Sequence, residues 1–246
     1  MSTKVQDFLG YPLFTGKLED IELENIKVIN TINPHSYYCA CFDEKFSKAQ
    51  KSADLLLPDG AGIILGAKLN GISIGGRITG SDIHLLLLKR MNERYGKVFY
   101  MGASEDSLRK IKSRLSAEYP NLEMGYYSPS YSKEFDDAEN RAIVDTINAF
   151  NPDVLFVGMT APKQEKWVYD HSERLTAKHI ASIGAVFDFY AGTVKRPGRI
   201  WLALHLEWFR RLIGQPKKLW RRNFISSPFF LWHVVRSGLR TLRKED

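Results

Sequence analysis

Leu55-Leu56-Leu57-Pro58-Asp59-Gly60-Ala61-Gly62 decides the reading of the fold. A short apolar strand ends, an acid sits at its tip, and a glycine turn opens a helix. This sequence of elements is half of a βαβ unit, and it recurs on both sides. Short apolar runs predict strands over 27–32, 54–57, 97–101, 122–126, 153–157 and 179–183. Longer amphipathic stretches predict helices over 60–69, 81–94, 105–118, 133–150 and 162–174. In 81–94 the apolar residues Ile83, Leu86, Leu87 and Met91 follow helical spacing. Tyr119-Pro120 and Asn151-Pro152 stop the helices before them, because proline disfavours helical geometry in the preceding residue. Alternating strands and helices predict an α/β fold, a Rossmann-like core with a mostly parallel sheet and helices on both faces. Ligands of such sheets lie at the carboxyl ends of the strands, so the turns there carry the candidate chemistry.

The 246 residues suffice for one sizeable domain with an appendage, and 44% hydrophobic with 26% charged residues excludes disorder of the whole chain. Charge divides that length. From Thr193 to Asp246 there are thirteen Lys and Arg against three acids, whereas the other 192 residues hold 22 basic and 25 acidic ones. Four of the five tryptophans, Trp201, Trp208, Trp220 and Trp232, share the basic segment. From about Arg199 the pattern is helical, divided by Pro216 and Pro228. In the last piece Trp232, Val235, Leu239 and Leu242 line one face beside a stripe of Arg236, Arg240 and Arg243. Two domains are expected, a catalytic one over 1–195 and a basic, Trp-rich helical appendage over 196–246.

Cations mixed with Trp and Phe at amphipathic spacing suit a membrane interface. They suit nucleic acid less, although Lys and Arg neutralise phosphates on either. A helix packed on its own domain with a solvated basic edge is the plainer alternative. MSTKVQDFLG lacks the apolar run of a signal peptide. The most apolar stretch, 224–235, is twelve residues long and interrupted by Ser226, Ser227, Pro228 and His233, too short to span a bilayer. The chain is expected to lie on a membrane without crossing it. Cys39 and Cys41 read as reduced packing residues of a cytosolic protein.

Five segments can carry chemistry. In 55–62, Asp59 at a strand tip is either a base in a cleft or a helix cap. Gly60, Gly62 and Gly66 resemble a dinucleotide fingerprint but lack its third glycine at the usual spacing. In Thr31-Ile32-Asn33-Pro34-His35, Thr31 and Asn33 offer neutral partners for sugar hydroxyls, while Asn-Pro is also ordinary turn chemistry. In Arg77-Ile78-Thr79-Gly80-Ser81-Asp82, Ser81 is a candidate N-cap and Arg77 stands near a helix start where a phosphate would bind, or pairs with an acid. In Gly158-Met159-Thr160-Ala161-Pro162-Lys163-Gln164-Glu165-Lys166-Trp167, a small-residue turn opens a helix with Pro at its first position. There Lys163 and Gln164 stand where a diphosphate or uracil ring would be met. In 183–197 a folded loop would bring Lys195 and Arg196 to a pyrophosphate; the alternative is a glycine-flanked core helix and an exposed basic turn. The sequence has no Asp-x-Asp, no GxxxxGK[ST] loop, no HExxH and no cysteine metal constellation. Leaving-group charge would then be met by Lys, Arg and backbone N–H groups.

Together and in this order, PDGAGI, RITGSD, GMTAPKQEKW, GAVFDFYAGTVKRPGRIW and LEWFRRL resemble the WecG/TagA/CpsF family of glycosyltransferases, over about 29–222. The resemblance implies a cytoplasmic enzyme, peripheral on the inner face of the cell membrane, with no cofactor and no metal. It implies inverting transfer of a sugar such as N-acetylmannosamine or its uronic acid from UDP to a sugar on undecaprenyl diphosphate, in cell-surface polysaccharide synthesis. It gives Asp59 the role of catalytic base and places Thr31, Asn33, Arg77 and Asp82 around the reacting sugars. Gly102, Lys163, Gln164, Gly184, Asp188, Lys195 and Arg196 fall on the nucleotide-sugar side. Arg210, Lys217, Arg221 and Arg222 fall on the side of membrane and diphosphate-lipid. The alternative is a non-catalytic nucleotide-binding scaffold at the membrane. Nucleic acid is not an expected partner. Apolar helix faces would suit a dimer or trimer.

Overall fold

The computed structural model describes residues 4–194, 220 and 222–245. Eight strands form one sheet: β1 (Val5–Phe8), β2 (Tyr11–Phe14), β3 (Val28–Ile32), β4 (Leu55–Pro58), β5 (Lys97–Gly102), β6 (Glu123–Tyr127), β7 (Val154–Gly158) and β8 (His179–Ser182). Their order is β1-β2-β4-β3-β8-β7-β5-β6. Every pairing is parallel except that of β1 with β2. The six expected strands are all present, with ends within a residue of the expected ones.

The helices are α1 (Pro34–Ala40), α2 (Glu44–Lys51), α3 (Ala61–Leu69), α4 (Gly80–Glu93), α5 (Glu105–Glu118), α6 (Asp137–Phe150), α7 (Lys163–His171), α8 (Val186–Tyr190) and α9 (Ser227–Glu245). Side chains alternate along the strands, and each face buries its own set. On the first face Ile29, Leu55, Leu57, Val98, Tyr100, Val154, Phe156 and Ala181 pack under α4, α5 and α8. On the second face Ile32 and Leu56 pack with α1, α3 and α9. Phe99, Met101, Leu155, Val157 and Ile180 pack there with α6 and α7.

Four elements go beyond the sequence reading. β1 and β2 form a hairpin whose turn, Leu9 at φ 56 and Gly10 at φ 82, has the two left-handed residues of a type I′ turn. α1 begins at Asn33-Pro34, read above as a strand-end turn. Asn33 Oδ1 accepts the N–H groups of His35 and Ser36, both at 3.0 Å, and Pro34 takes the first helical position, where its missing N–H costs nothing. α2 follows, capped by Asp43. The helix expected over 133–150 starts later, with Asp136 as its N-cap.

Four neighbouring pairs of strands send the chain to opposite faces, β3/β8, β8/β7, β7/β5 and β5/β6. β3 continues into α1 on the second face, while adjacent β8 continues into α8 on the first. β5 continues into α5 on the first face, while adjacent β7 continues into α7 on the second. Each divergence opens a crevice at the carboxyl edge of the sheet, the usual ligand position in open α/β sheets.

Candidate active site

Backbone bonds tie three of the five segments into one corner. Asp59 N–H donates to Ile32 O at 2.9 Å, joining the tips of β4 and β3. Ile78 N–H donates to Pro58 O at 3.0 Å, laying the strand-like approach to α4 along the same tip. Gly60 holds φ 101 and ψ 146, a region that side-chain-bearing residues rarely enter, and so lets the chain turn directly from strand into α3. Gly62 has a different task. A Cβ there would lie 2.6 Å from Pro34 Cγ, so its bareness lets α3 sit on the start of α1. This contact explains the glycine spacing without a dinucleotide.

Thr31, Asn33, Asp59 and Arg77 are thereby gathered at the ends of β3 and β4. Asp59 is half-buried and Arg77 exposed. Asn33 also caps α1. Asp82 closes a capping box at α4: Oδ2 accepts from Thr79 N at 2.8 Å and Thr79 Oγ1 at 2.7 Å. The N-cap of α4 is Thr79, not Ser81, because the helix starts a turn-position earlier than its apolar spacing implied. Gly80 brings this helix start against the β8 turn, since a Cβ there would meet Val186 Cγ2 at 3.2 Å and Ile183 O at 3.4 Å.

The second group lies along the edge at β8, β7 and β5. Gln164 is buried; its Oε1 accepts Met159 N–H at 3.2 Å, and its Nε2 donates to Glu165 Oε1 at 2.9 Å. Gly184, at φ 49, passes so close that a Cβ would meet Gln164 Oε1 at 3.3 Å and Met159 O at 3.2 Å. Gly102, at φ 120, faces Gly158 O at 2.4 Å from the same imagined Cβ. At Gly102 and Gly184 the missing side chain thus lets neighbouring chain segments close on each other. β4 and β8 are two strand spacings apart, roughly 10 Å, which suits two joined sugars or a sugar and its diphosphate.

Lys163 turns aside. Its ammonium donates to Ser132 O at 2.8 Å and lies 3.4 Å from the centroid of the Phe135 ring, and burial there lowers its pKa. Asp188 lies on α8, where its carbonyl accepts Thr193 and Val194 N–H groups at 3.1 and 3.2 Å and closes the turn toward 195. α8 is a core helix, with Val186, Phe187 and Tyr190 buried. Lys195, Arg196, Arg210, Lys217 and Arg221 lie outside the described residues, as does the side chain of Arg222.

α9 returns to this corner. Ser226 Oγ, just before it, lies 2.9 Å from His35 Nδ1, two residues past Asn33. Phe230 and Val234 are buried against Phe8, Tyr37 and α3, while Trp232, Val235 and Leu239 are 55%, 53% and 57% exposed. One face of the last helix is therefore core, and the other presents Trp232 beside Arg236. No helix among the described residues is long and apolar enough to cross a membrane.

The sequence reading missed a set of buried polar side chains: Asn30, Gln50, Glu165 and Ser182. Glu165 is spaced with Val168 on the buried stripe of α7, and that periodicity was the available signal.

A model of the Glycosyl transferase WecG/TagA/CpsF family matches residues 13–244, spanning all of these turns. The chain belongs to this family. It is accordingly a glycosyltransferase. Among curated relatives, the N-acetylglucosaminyldiphosphoundecaprenol N-acetyl-beta-D-mannosaminyltransferase of Bacillus subtilis (strain 168) is 31% identical over 209 residues, 85% of this chain and 79% of its own. The protein of the same name from Bacillus spizizenii is 31% identical over 234 residues, 94% of this chain and 88% of its own. That of Staphylococcus aureus (strain MRSA252) is 27% identical over 85% of this chain and 80% of its own.

Proposed function

We propose that this glycosyltransferase moves an N-acetylmannosamine-like hexose from a UDP-sugar onto a sugar linked to undecaprenyl diphosphate, with inversion and without a metal. The observation that carries the reading is the corner itself: two backbone bonds bring Thr31, Asn33, Asp59 and Arg77 to one end of the sheet, next to the turn holding Gln164 and Gly184. The relatives named above support the choice of sugar and acceptor. Their names specify a β-linked product, and a donor α-linked to its diphosphate gives a β product by a single inverting displacement.

In that displacement Asp59 takes the proton from the acceptor hydroxyl, whose oxygen forms the new bond to the anomeric carbon as the bond to UDP breaks. One carboxylate at the attacked centre suffices. Thr31 and Asn33 orient sugar hydroxyls, with Asp82 holding the adjoining helix start. The electron pair leaves on the diphosphate, whose growing charge is met by Arg77, the N–H groups opening α4, and cations of the C-terminal segment. Of these, Lys195 and Arg196 follow the α8 turn in sequence, and Arg221 and Arg222 shortly precede Ser226, which bonds His35 beside the corner. Residues 1–195 act as the catalytic domain. Residues 196–246, with Arg210 and Lys217, act as the appendage that meets the inner membrane surface and its diphosphate-lipid.

The test is to incubate the protein with UDP-N-acetylmannosamine and lipid-linked N-acetylglucosamine, with and without a chelator. Products are read by mass spectrometry, and the new linkage by NMR. A β-linked disaccharide-lipid formed equally in both conditions is expected. Transfer that stops with chelation, or a retained anomeric configuration, overturns the mechanism.

A further inference from the structure

Beneath α2 and α7 lies a buried polar layer that the transfer step does not use. Asn30 on β3 and Ser182 on β8 project from the second face of adjacent strands, continuing the register Ile29↔Ala181. Gln50 covers them from α2, donating Nε2 to Thr31 O at 3.4 Å, while Asn30 Nδ2 donates to Ala49 O at 3.2 Å. α7 packs on α2 and supplies Glu165. Asn30 Oδ1, Gln50 Oε1, Glu165 Oε2 and Ser182 Oγ are each buried without a hydrogen-bond partner among the described residues. Three of the four are acceptors only if Glu165 is ionised. Such a set has a single unused donor, the Ser182 hydroxyl, for several acceptors, and an ionised carboxylate buried among them would be costly. A protonated one would supply a donor.

We propose that Glu165 is a positioning residue working as a neutral carboxylic acid: Oε1 receives the Gln164 amide, its hydroxyl serves the buried acceptors, and Gln164 is thereby fixed toward the donor nucleotide. The geometry of Gln164 follows. With Oε1 on Met159 N–H and one amide hydrogen on Glu165, its second amide hydrogen remains for a ligand at the β7–β8 turns. Burial pushes the Glu165 carboxyl from 4.5 up to about 7, only partly offset by the Gln164 bond. Charges on the surrounding elements are engaged with others. Asp43, capping α2, bonds Lys166, and Lys45 bonds Asp170. Glu44 pairs with Lys48, and Lys51 lies over Tyr11. His179, at the far end of β8, meets Ile26 O. On α7 itself Lys163 meets Ser132 O and His171 meets Trp167 O, and beyond it Glu173 and Arg174 are exposed.

The inference rests on the donor reading for its ligand but not for its chemistry, so the experiment has two arms. NMR of the Gln164 side-chain amide, assigned with Gln164→Ala, reads the positioning without any nucleotide. Calorimetry with UDP reads the consequence. Glu165→Gln keeps an acceptor oxygen and puts an N–H donor where the acid hydroxyl stood, and should keep the Gln164 signal and bind UDP within about threefold of wild type. Glu165→Ala should lose the protected signal and bind UDP about tenfold more weakly. In wild type both readouts should weaken as pH rises from 6 to 8.5, and in Glu165→Gln they should not. An impaired Glu165→Gln with flat wild-type pH dependence overturns the proposal. Correct amide behaviour without UDP binding in any form upholds the neutral acid and removes the donor reading.

Discussion

The two edges of this sheet use the same residue type in opposite ways. At the amino edge, Asp54 accepts Lys27 and Val28 N–H groups at 2.9 and 2.8 Å. There too, Asp153 accepts Lys97 N–H at 2.8 Å and the Lys178 ammonium at 2.7 Å. These carboxylates stitch strand starts together. At the carboxyl edge, chain turns are made by Gly60, Gly102 and Gly184 with positive φ, and Asp59 stands among them. Acids at one edge close the structure. At the other edge bare backbone leaves room for ligands. Position relative to strand direction, more than residue type, assigns an aspartate its work.

The sharpest way to break this contrast is to exchange the acids. Asp59→Asn should cut turnover by roughly 10²–10⁴-fold while the melting temperature stays put. Asp153→Ala should leave turnover alone. Comparable loss of turnover in both variants would end the division of labour.

The pH dependence of stability should also have opposite signs. At Glu165 the folded pKa is raised, to about 7 from 4.5, so its stabilisation is present below pH 4.5 and is lost as pH rises through 7. The loss is on the order of 3 kcal/mol, and denaturant titrations of wild type and Glu165→Gln at several pH values should isolate it. For Asp153 burial pushes the pKa up, but Lys178 and the Lys97 N–H outweigh it and the net shift is downward. Its stabilisation is therefore present above the ordinary carboxylate range and lost as pH falls through the lowered pKa. Asp153→Ala should cost about 1–2 kcal/mol at neutral pH and flatten the acid limb.

Glycines sharpen the contrast further. Gly102→Ala combines a left-handed φ of 120 with a Cβ 2.4 Å from Gly158 O, and about 2–3 kcal/mol of destabilisation is expected. Gly96, at the amino edge, has an ordinary φ and contacts no nearer than 3.1 Å, so Gly96→Ala should cost less than about 1 kcal/mol. Equal costs, measured by chemical unfolding, would mean that the carboxyl edge is no tighter than its counterpart.

The carboxyl edge was legible because apolar runs end there in small residues. The Leu55–Leu57 run, its acid and its glycine turn needed no structure to be placed. The hairpin at 5–14 was hidden by a Leu-Gly turn and a proline in a four-residue strand. α1 was hidden by Asn33-Pro34, which reads equally as a turn or as an N-cap with a first-position proline, and only the bonds to His35 and Ser36 N–H decide. Asp82 shows the same ambiguity: an acid near a helix start is binding residue or cap until its oxygen is located. Glu165 escaped because a charged letter on an apolar stripe looks like solvent, while burial is a property of what α2 places over it.

Phe230 and Val234 seat the last helix where Gly66 leaves room, a Cβ there falling 2.9 Å from Val234 and 3.0 Å from Phe230 and Phe8. That helix is therefore a roof over this part of the core. Shortening the chain ahead of it would strip the cover from Phe8, Tyr37, Ile63 and Ala67, and the shortened protein should grow sticky before it grows idle.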